Sequence, residues 1–217
     1  MKNFITYAWG IAIALTLGAC SNSKINYVAL FAESQPESSE NLADFPKNFQ
    51  GKYLNKSDSS ILTINSKGLY LQKSFPYTLH INELDSNEQL SGDTVIINNK
   101  DHSRQITKRV KDSLLITINS IDTIFEIKED QHLKRLGKHY ILNSKIENGW
   151  LIRKLNKHKK LLTIASLEEQ EVNTLKEIAS SSSDSIPYYF KISEKNFKHF
   201  VNHKGFRYID TLALIEQ

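Results

Sequence analysis

Residues able to do chemistry are few and scattered along the 217-residue chain. His199 and His203 are four apart, a spacing that on a helix would offer two imidazoles to one zinc ion. At 100° per residue they point about 200° and 240° away from Phe197, where the apolar face of that helix centres, so they face water. No His-Glu-x-x-His pattern accompanies them, and neither a metal nor another cofactor is expected. Asp58, Asp93, Asp101 and Asp112 fall at predicted turns, where aspartate bonds to its own backbone. Hydrolysis by such dispersed carboxylates would need two of them to converge on a substrate. Glycines are too dispersed for a phosphate-cradling loop, and a Gly-x-Ser-x-Gly elbow is absent. The densest charge is Arg153-Lys154 with Asn156-Lys157-His158-Lys159-Lys160, a basic hairpin tip. It suits contact with an anionic partner through Arg153, Lys154, Lys157, Lys159 and Lys160, although such runs are ordinarily solvated turns. Cys20 is the one cysteine, which excludes an internal disulfide and any multi-cysteine metal site.

Cys20 follows a positive start (Lys2 and the α-amino group), an uncharged apolar stretch from Ala8 to Leu17, and the small residues Gly18 and Ala19. That order is an export signal. A transmembrane anchor needs roughly 20 apolar residues; here the apolar centre is shorter, and Asn3, Thr6 and Thr16 dilute its flanks. Leu17-Gly18-Ala19-Cys20 closely resembles the lipobox of bacterial lipoproteins. The resemblance implies removal of 1–19, a diacylglyceryl thioether on Cys20, and attachment to a membrane through that lipid. The formal charge of +4 is too small to imply a nucleic-acid partner.

Positioning elements follow from the pattern. Residues 20–44 read as the lipidated cysteine and a flexible tether, with Ser34-Gln35-Pro36-Glu37-Ser38-Ser39-Glu40 at its most polar. Ile25 to Phe31 is β-prone and suits either a docked strand or a segment at the lipid interface. Beyond it, short apolar runs recur with turn residues between them: Ser60–Asn65, Leu69–Lys73, Thr94–Asn99, Arg104–Val110, Ser113–Asn119, Thr123–Lys128, His139–Asn143, Trp150–Leu155 and Lys160–Ala165. Ser166-Leu167-Glu168-Glu169 has the form of a capping box opening a first helix. A second helix runs from Ser193 to near Gly205. Strands are expected at Pro187–Ile192 and Phe206–Ile215. The fold class is mainly β, an antiparallel meander that is sandwich- or barrel-like, with two short helices in the C-terminal third and α+β overall. Residues 45–136 and 137–217 form either two β-rich regions or one continuous domain.

The lipobox, the polar tether, Phe45-Pro46-Lys47-Asn48-Phe49-Gln50-Gly51-Lys52-Tyr53 and the Asp-Ser-x-Leu-x-Ile strands together resemble uncharacterised lipoproteins of the Bacteroidota. No activity comes with that resemblance. Surface-exported members often carry an acidic run after the cysteine. Ser21-Asn22-Ser23-Lys24 has none, which tilts the expectation toward an outer-membrane anchor facing the periplasm, with the cell surface as the alternative. The expected function is a non-enzymatic binding module whose partner is an envelope protein, an anionic lipid or a glycan. The alternatives are an envelope hydrolase using dispersed carboxylates, and a structural or protective envelope protein.

Overall fold

The computed structural model describes residues 28–92, 95–98, 100, 104–147, 149–203 and 205–216. The export segment and the lipobox, Leu17 to Cys20, lie outside the described residues, as do Asp93 and Asp101. Strand alternation organises most of the rest. In β2 (Gly51–Leu54), β3 (Ile61–Ile64) and the start of β4 (Gly68–His80), Tyr53, Leu62, Ile64 and Leu69 are buried on one shared face. The β3–β4 turn is held by Asn65, whose Oδ1 accepts from the Lys67 and Gly68 amides at 2.8 Å each. Gly68 is required there, because a Cβ would lie 2.8 Å from the Phe125 carbonyl oxygen.

β8 (Ser113–Glu126) pairs with β4 along its whole length, with a register shift between Leu69 and Tyr70. The sequence predicts two strands here, Ser113–Asn119 and Thr123–Lys128. Instead Ser120, Ile121 and Asp122 continue the ladder, and a local bulge absorbs the irregularity. After a tight turn come β9 (Gln131–Leu136), β10 (His139–Ile146), β11 (Gly149–His158) and β12 (Leu161–Ser166), an antiparallel meander. β15 (Tyr208–Glu216) then inserts between β12 and β2. Residues 45–136 and 137–217 therefore build one sheet. Gly137, where the composition admits a boundary, takes the positive-φ position of the β9–β10 turn.

The sheet curls so that Tyr53, Leu62, Leu69, Phe125, Leu133, Leu142, Leu155, Leu162 and Leu212, from all of these strands, share one core. Its two end strands meet at the β8–β9 turn, where Lys128, two residues past β8, bridges to Gln131 and the Gln131 side chain accepts from the Glu126 amide at 2.7 Å. The arrangement is barrel-like. A second core lies outside it. Ile141, Trp150, Ile152 and Ala165, on the opposite face of β10–β12, pack against α1 (Glu169–Ile178), α2 (Glu194–His203), β1 (Ala29–Phe31) and β14 (Tyr188–Lys191). Both helices fall where the pattern places them. The capping interaction sits two residues later than expected, since Ser166 is still in β12 and the Glu171 carboxylate accepts from the Glu168 amide at 3.1 Å. The short β13 (Ser181–Ser182) edges β14.

The described part of the tether is not free. Ala29–Phe31 is a buried strand, parallel to β14 and touching β11 where Phe31 faces Trp150. Gln35 is 1% exposed. Its amide donates to Asn143 Oδ1 at 2.7 Å, and its carbonyl accepts from Asn143 Nδ2 at 2.8 Å. Lys134 adds donations to the carbonyls of Pro36 (3.0 Å) and Ser34 (3.4 Å). A polar segment low in apolar residues is thus ordered by partners about 100 residues away in sequence.

The outer half of the β4–β8 ribbon projects as an arm widened by β7 (Arg104–Val110), β6 (Val95–Asn98) and β5 (Glu88–Ser91). One face of the arm is covered by a 3₁₀ turn, Ile81–Glu83. Ile81 and Leu84 pack there on Leu79, Leu90, Ile96, Leu114 and Ile116.

Candidate functional site

One end of the barrel is plugged. Phe45 meets Phe125 edge-on at 5.9 Å between ring centres, and Phe49 meets Tyr140 at 4.8 Å. The plug is tied in by Gln50 Nε2 donating to the Phe45 carbonyl at 2.9 Å and by Tyr53 Oη donating to the Phe49 carbonyl at 2.6 Å. Burial pushes the Tyr53 hydroxyl up to about 12.

The other end is open. A cleft of about 470 Å³ there is floored by Leu62, Leu71, Ile124, Ile164 and Leu212, with Asn55, Asp58, Lys73, Arg153, Ser166 and Asp210 above. That volume falls within the roughly 300–1,000 Å³ typical of small-molecule sites, which favour the mouths of β-barrels. Strand register explains the lining. Arg153 pairs across from Leu142, and Asp210 across from Ile164, so each shares the inward face of its strand. Lys73 follows Leu69 and Leu71 at alternate positions of β4. The lip between β2 and β3 is stitched by its own side chains. Asn55 Oδ1 accepts from the Ser57 amide (3.0 Å) and hydroxyl (2.8 Å), and Asp58 Oδ1 accepts from the Ser60 amide (3.0 Å) and hydroxyl (2.7 Å). The bonds from Ser60, helped by the charge of Lys73, hold the Asp58 carboxyl below the usual carboxylate range. The same face of the ribbon continues past the mouth as Phe75, Tyr77 and Ile118, each about half exposed. The result is an apolar floor, a rim of both charge signs and an apolar wall.

The basic run expected at the hairpin tip is divided among separate places. Arg153 belongs to the mouth. Lys154 lies on the opposite face, where its Nζ donates to the carbonyls of Gly205 (3.1 Å) and Val201 (3.5 Å) and sits 5.5 Å from the centre of the Phe206 ring. Burial pushes its pKa down, opposed by the charge of Glu171. Lys157 donates to the Asn48 carbonyl and lies over the Tyr53 ring, bracing the plug; burial lowers its pKa too. Lys159 and Lys160 remain exposed at the turn. The rings of His199 and His203 stack at 4.4 Å, with His203 Nδ1 3.0 Å from the His199 carbonyl oxygen. Among the described residues no group of three or more His, Cys, Asp or Glu is arranged to hold a metal ion. Asp58 is used in its turn as expected, yet it also lines the mouth. Lys73 and Asp210 escaped sequence reasoning, although the alternation Leu69-Leu71-Lys73 and Asp210-Leu212-Leu214 carries the signal.

Fold and site define a class: a mainly β, barrel-like protein with one plugged end, one open polar mouth and a projecting sheet. Comparison with protein-family models, with curated proteins and with solved structures returns no match. No helix among the described residues is long and apolar enough to cross a membrane.

Proposed function

We propose that this chain is a cell-envelope lipoprotein, held on the outer membrane through lipid on Cys20 and facing the periplasm, whose barrel mouth captures a small amphipathic ligand. The anchoring half of the reading is supported by Leu17-Gly18-Ala19-Cys20 behind an export signal. The observation that carries the binding half is the mouth itself. Its floor is apolar, Arg153 and Lys73 stand with Asp58 and Asp210 above it, and Phe75, Tyr77 and Ile118 extend the apolar surface. Such a lining takes the apolar body of a ligand inward and meets a zwitterionic or hydroxyl-rich head at the rim.

Native mass spectrometry of the chain purified from the envelope without denaturant tests the binding. A small-molecule adduct should be present and should be lost in Arg153→Ala and Leu71→Arg; an adduct-free protein, or one whose adduct survives both changes, overturns the reading. Cys20→Ala tests the anchor, since it should leave an unacylated precursor whose mass retains the signal. Normal processing of that variant would sink the anchoring claim.

The two carboxylates at one mouth favour a second reading, an envelope hydrolase. Asp58 has the poorer claim to act as its acid, because its oxygen is engaged by Ser60 and its carboxyl stays ionised. Asp210 would then have to supply the proton. Hydrolysis of a glycan or ester probe abolished by Asp210→Asn would select this reading over simple binding.

A further inference from the structure

The arm has a second face. Strand pairing places Ile97, Arg104, Ile106, Lys108, Val110 and Leu115 together on the side away from the 3₁₀ turn, with Ile121 on the same side nearer the barrel. Nothing among the described residues covers it: Ile106 is 77% exposed, Ile121 69% and Val110 52%. Large apolar side chains in that number on one open sheet face mark a binding surface rather than chance exposure. Charge is unevenly placed as well. Arg104 and Lys108 are exposed between the apolar residues, and along the paired stretches of β6, β7 and the outer end of β8 register puts no described carboxylate on this face; Glu126 joins its outward side only at the barrel end of β8. Glu83, Asp85 and Glu88 belong to the turn and edge strand on the covered side.

We propose that this outer face of the arm docks on an anionic lipid surface. Isoleucine, valine and leucine enter the head-group boundary, while the long basic side chains reach the lipid phosphates. A second copy of the chain fits poorly, since a symmetric face-to-face pair would set these cations against one another. The inference rests on the anchored reading above in one respect. The eight residue steps from Cys20 to Val28 span at most about 29 Å, so an acylated chain holds its body within reach of the bilayer.

The test uses the full chain added to vesicles of phosphatidylcholine with or without phosphatidylglycerol. Ile106→Cys and, on the covered-side face of the same strand, Gln105→Cys carry an environment-sensitive thiol label, and mass spectrometry reports whether Cys20 is acylated. Where it is not, Cys20→Ala supplies the single-thiol background. The label at 106 should be protected from an aqueous quencher and quenched by a bilayer-resident one on anionic vesicles, while the label at 105 stays in water. Each basic side chain at an anionic surface is a factor of about five. The Arg104→Gln/Lys108→Gln variant should therefore lower the ratio of protected to exposed label about 25-fold. Equal exposure of both labels on anionic vesicles overturns the proposal. So does protection at 106 that arises only when envelope proteins are added, which would make the occupant an acidic protein. Absence of acylation at Cys20 defeats the anchoring reading alone, because the label reports on the arm in either case.

Discussion

Asn143→Ala should release the N-terminal segment from the barrel. Asn143 is fully buried in β10, and its side chain replaces water for four backbone groups: the Gln35 amide at 2.7 Å and the carbonyls of Gln35 at 2.8 Å, His132 at 3.2 Å and Ile141 at 3.4 Å. Alanine leaves the two Gln35 groups without their partner in a place where Gln35 is itself 1% exposed. An orphaned buried polar group costs about 1–3 kcal/mol, so the two together cost about 2–6 kcal/mol. For a chain of this size about 2–4 °C of melting temperature accompanies each kcal/mol, giving a fall of at least about 4 °C. The loss should be local before it is global. The segment keeps its buried Lys134 contact to Pro36, the part-buried one to Ser34 and the exposed Ser38–Glu194 bonds, but none of these reaches the two Gln35 groups. Amide exchange at Gln35 and proteolysis near Glu33–Ser39 should therefore accelerate well ahead of exchange at Leu155 or Leu162 in the barrel. Urea unfolding and exchange mass spectrometry measure the two effects. A loss under about 1 kcal/mol with unchanged Gln35 protection would refute the claim that this side chain clamps the segment.

Two further outcomes follow from particular atoms. Gly205→Ala places a Cβ 2.2 Å from Phe200 Cε1, so the ring of a fully buried phenylalanine must move; the expected cost is about 1–3 kcal/mol by urea unfolding, and a neutral result would show that the α2 end is loosely packed. Tyr53 binds its proton more tightly folded, at about 12 against an ordinary 10.0. Between those values the folded state holds more protons than the unfolded one, so stability falls as pH rises. Tyr53→Phe should lose about 1 kcal/mol at neutral pH with its bond to Phe49, yet flatten that alkaline decline in unfolding curves at pH 9, 10 and 11; an unchanged slope would place the decline elsewhere.

Where alternation is local and one face is apolar, the sequence is readable. Leu62 and Ile64, or Leu114 and Ile116, declare their strands, and Val172, Leu175, Phe197 and Phe200 declare the helices. β9 is hard to see because Gln131-His132-Leu133-Lys134-Arg135-Leu136 buries a lysine. Lys134 is 5% exposed and satisfied by carbonyls of the docked segment, a partner no local pattern reveals. That segment was hidden for the reciprocal reason, since its composition lacks apolar residues and its order depends on Asn143 and Lys134. The sequence divides β8 in two because an unpaired Ile124 bulges from the ladder and breaks strict alternation, although Ile121 and Asp122 pair regularly. At the mouth, Arg153 was visible as a charge and Asp58 as a turn residue. Their meeting depends on the insertion of β15 between β12 and β2, which brings Asp210 alongside and is a fact of topology rather than of spacing.

β11 shows how a strand distributes a run of charge. Arg153, Leu155 and Lys157 turn inward to the mouth, the core and the plug, whereas Trp150, Ile152 and Lys154 turn outward to the helices. A slip of one residue would exchange the two sets, burying Arg153 beneath α2 and driving Lys154 into the barrel. The apolar partners prevent it, because Leu155 must meet Tyr140 and Ile164 while Ile152 must meet the outer layer. Register therefore converts one basic segment into three separate roles: Arg153 at the mouth, Lys154 on the carbonyls at the end of α2, and Lys157 on the plug. β7 follows the same logic with the opposite result. Its alternation sends Arg104, Ile106, Lys108 and Val110 to a single open face, so that basic charge and apolar surface coincide there. Within one chain, the longer basic run is divided among the mouth, two structural contacts and the exposed turn, and the less conspicuous strand gathers basic charge and apolar surface on one face.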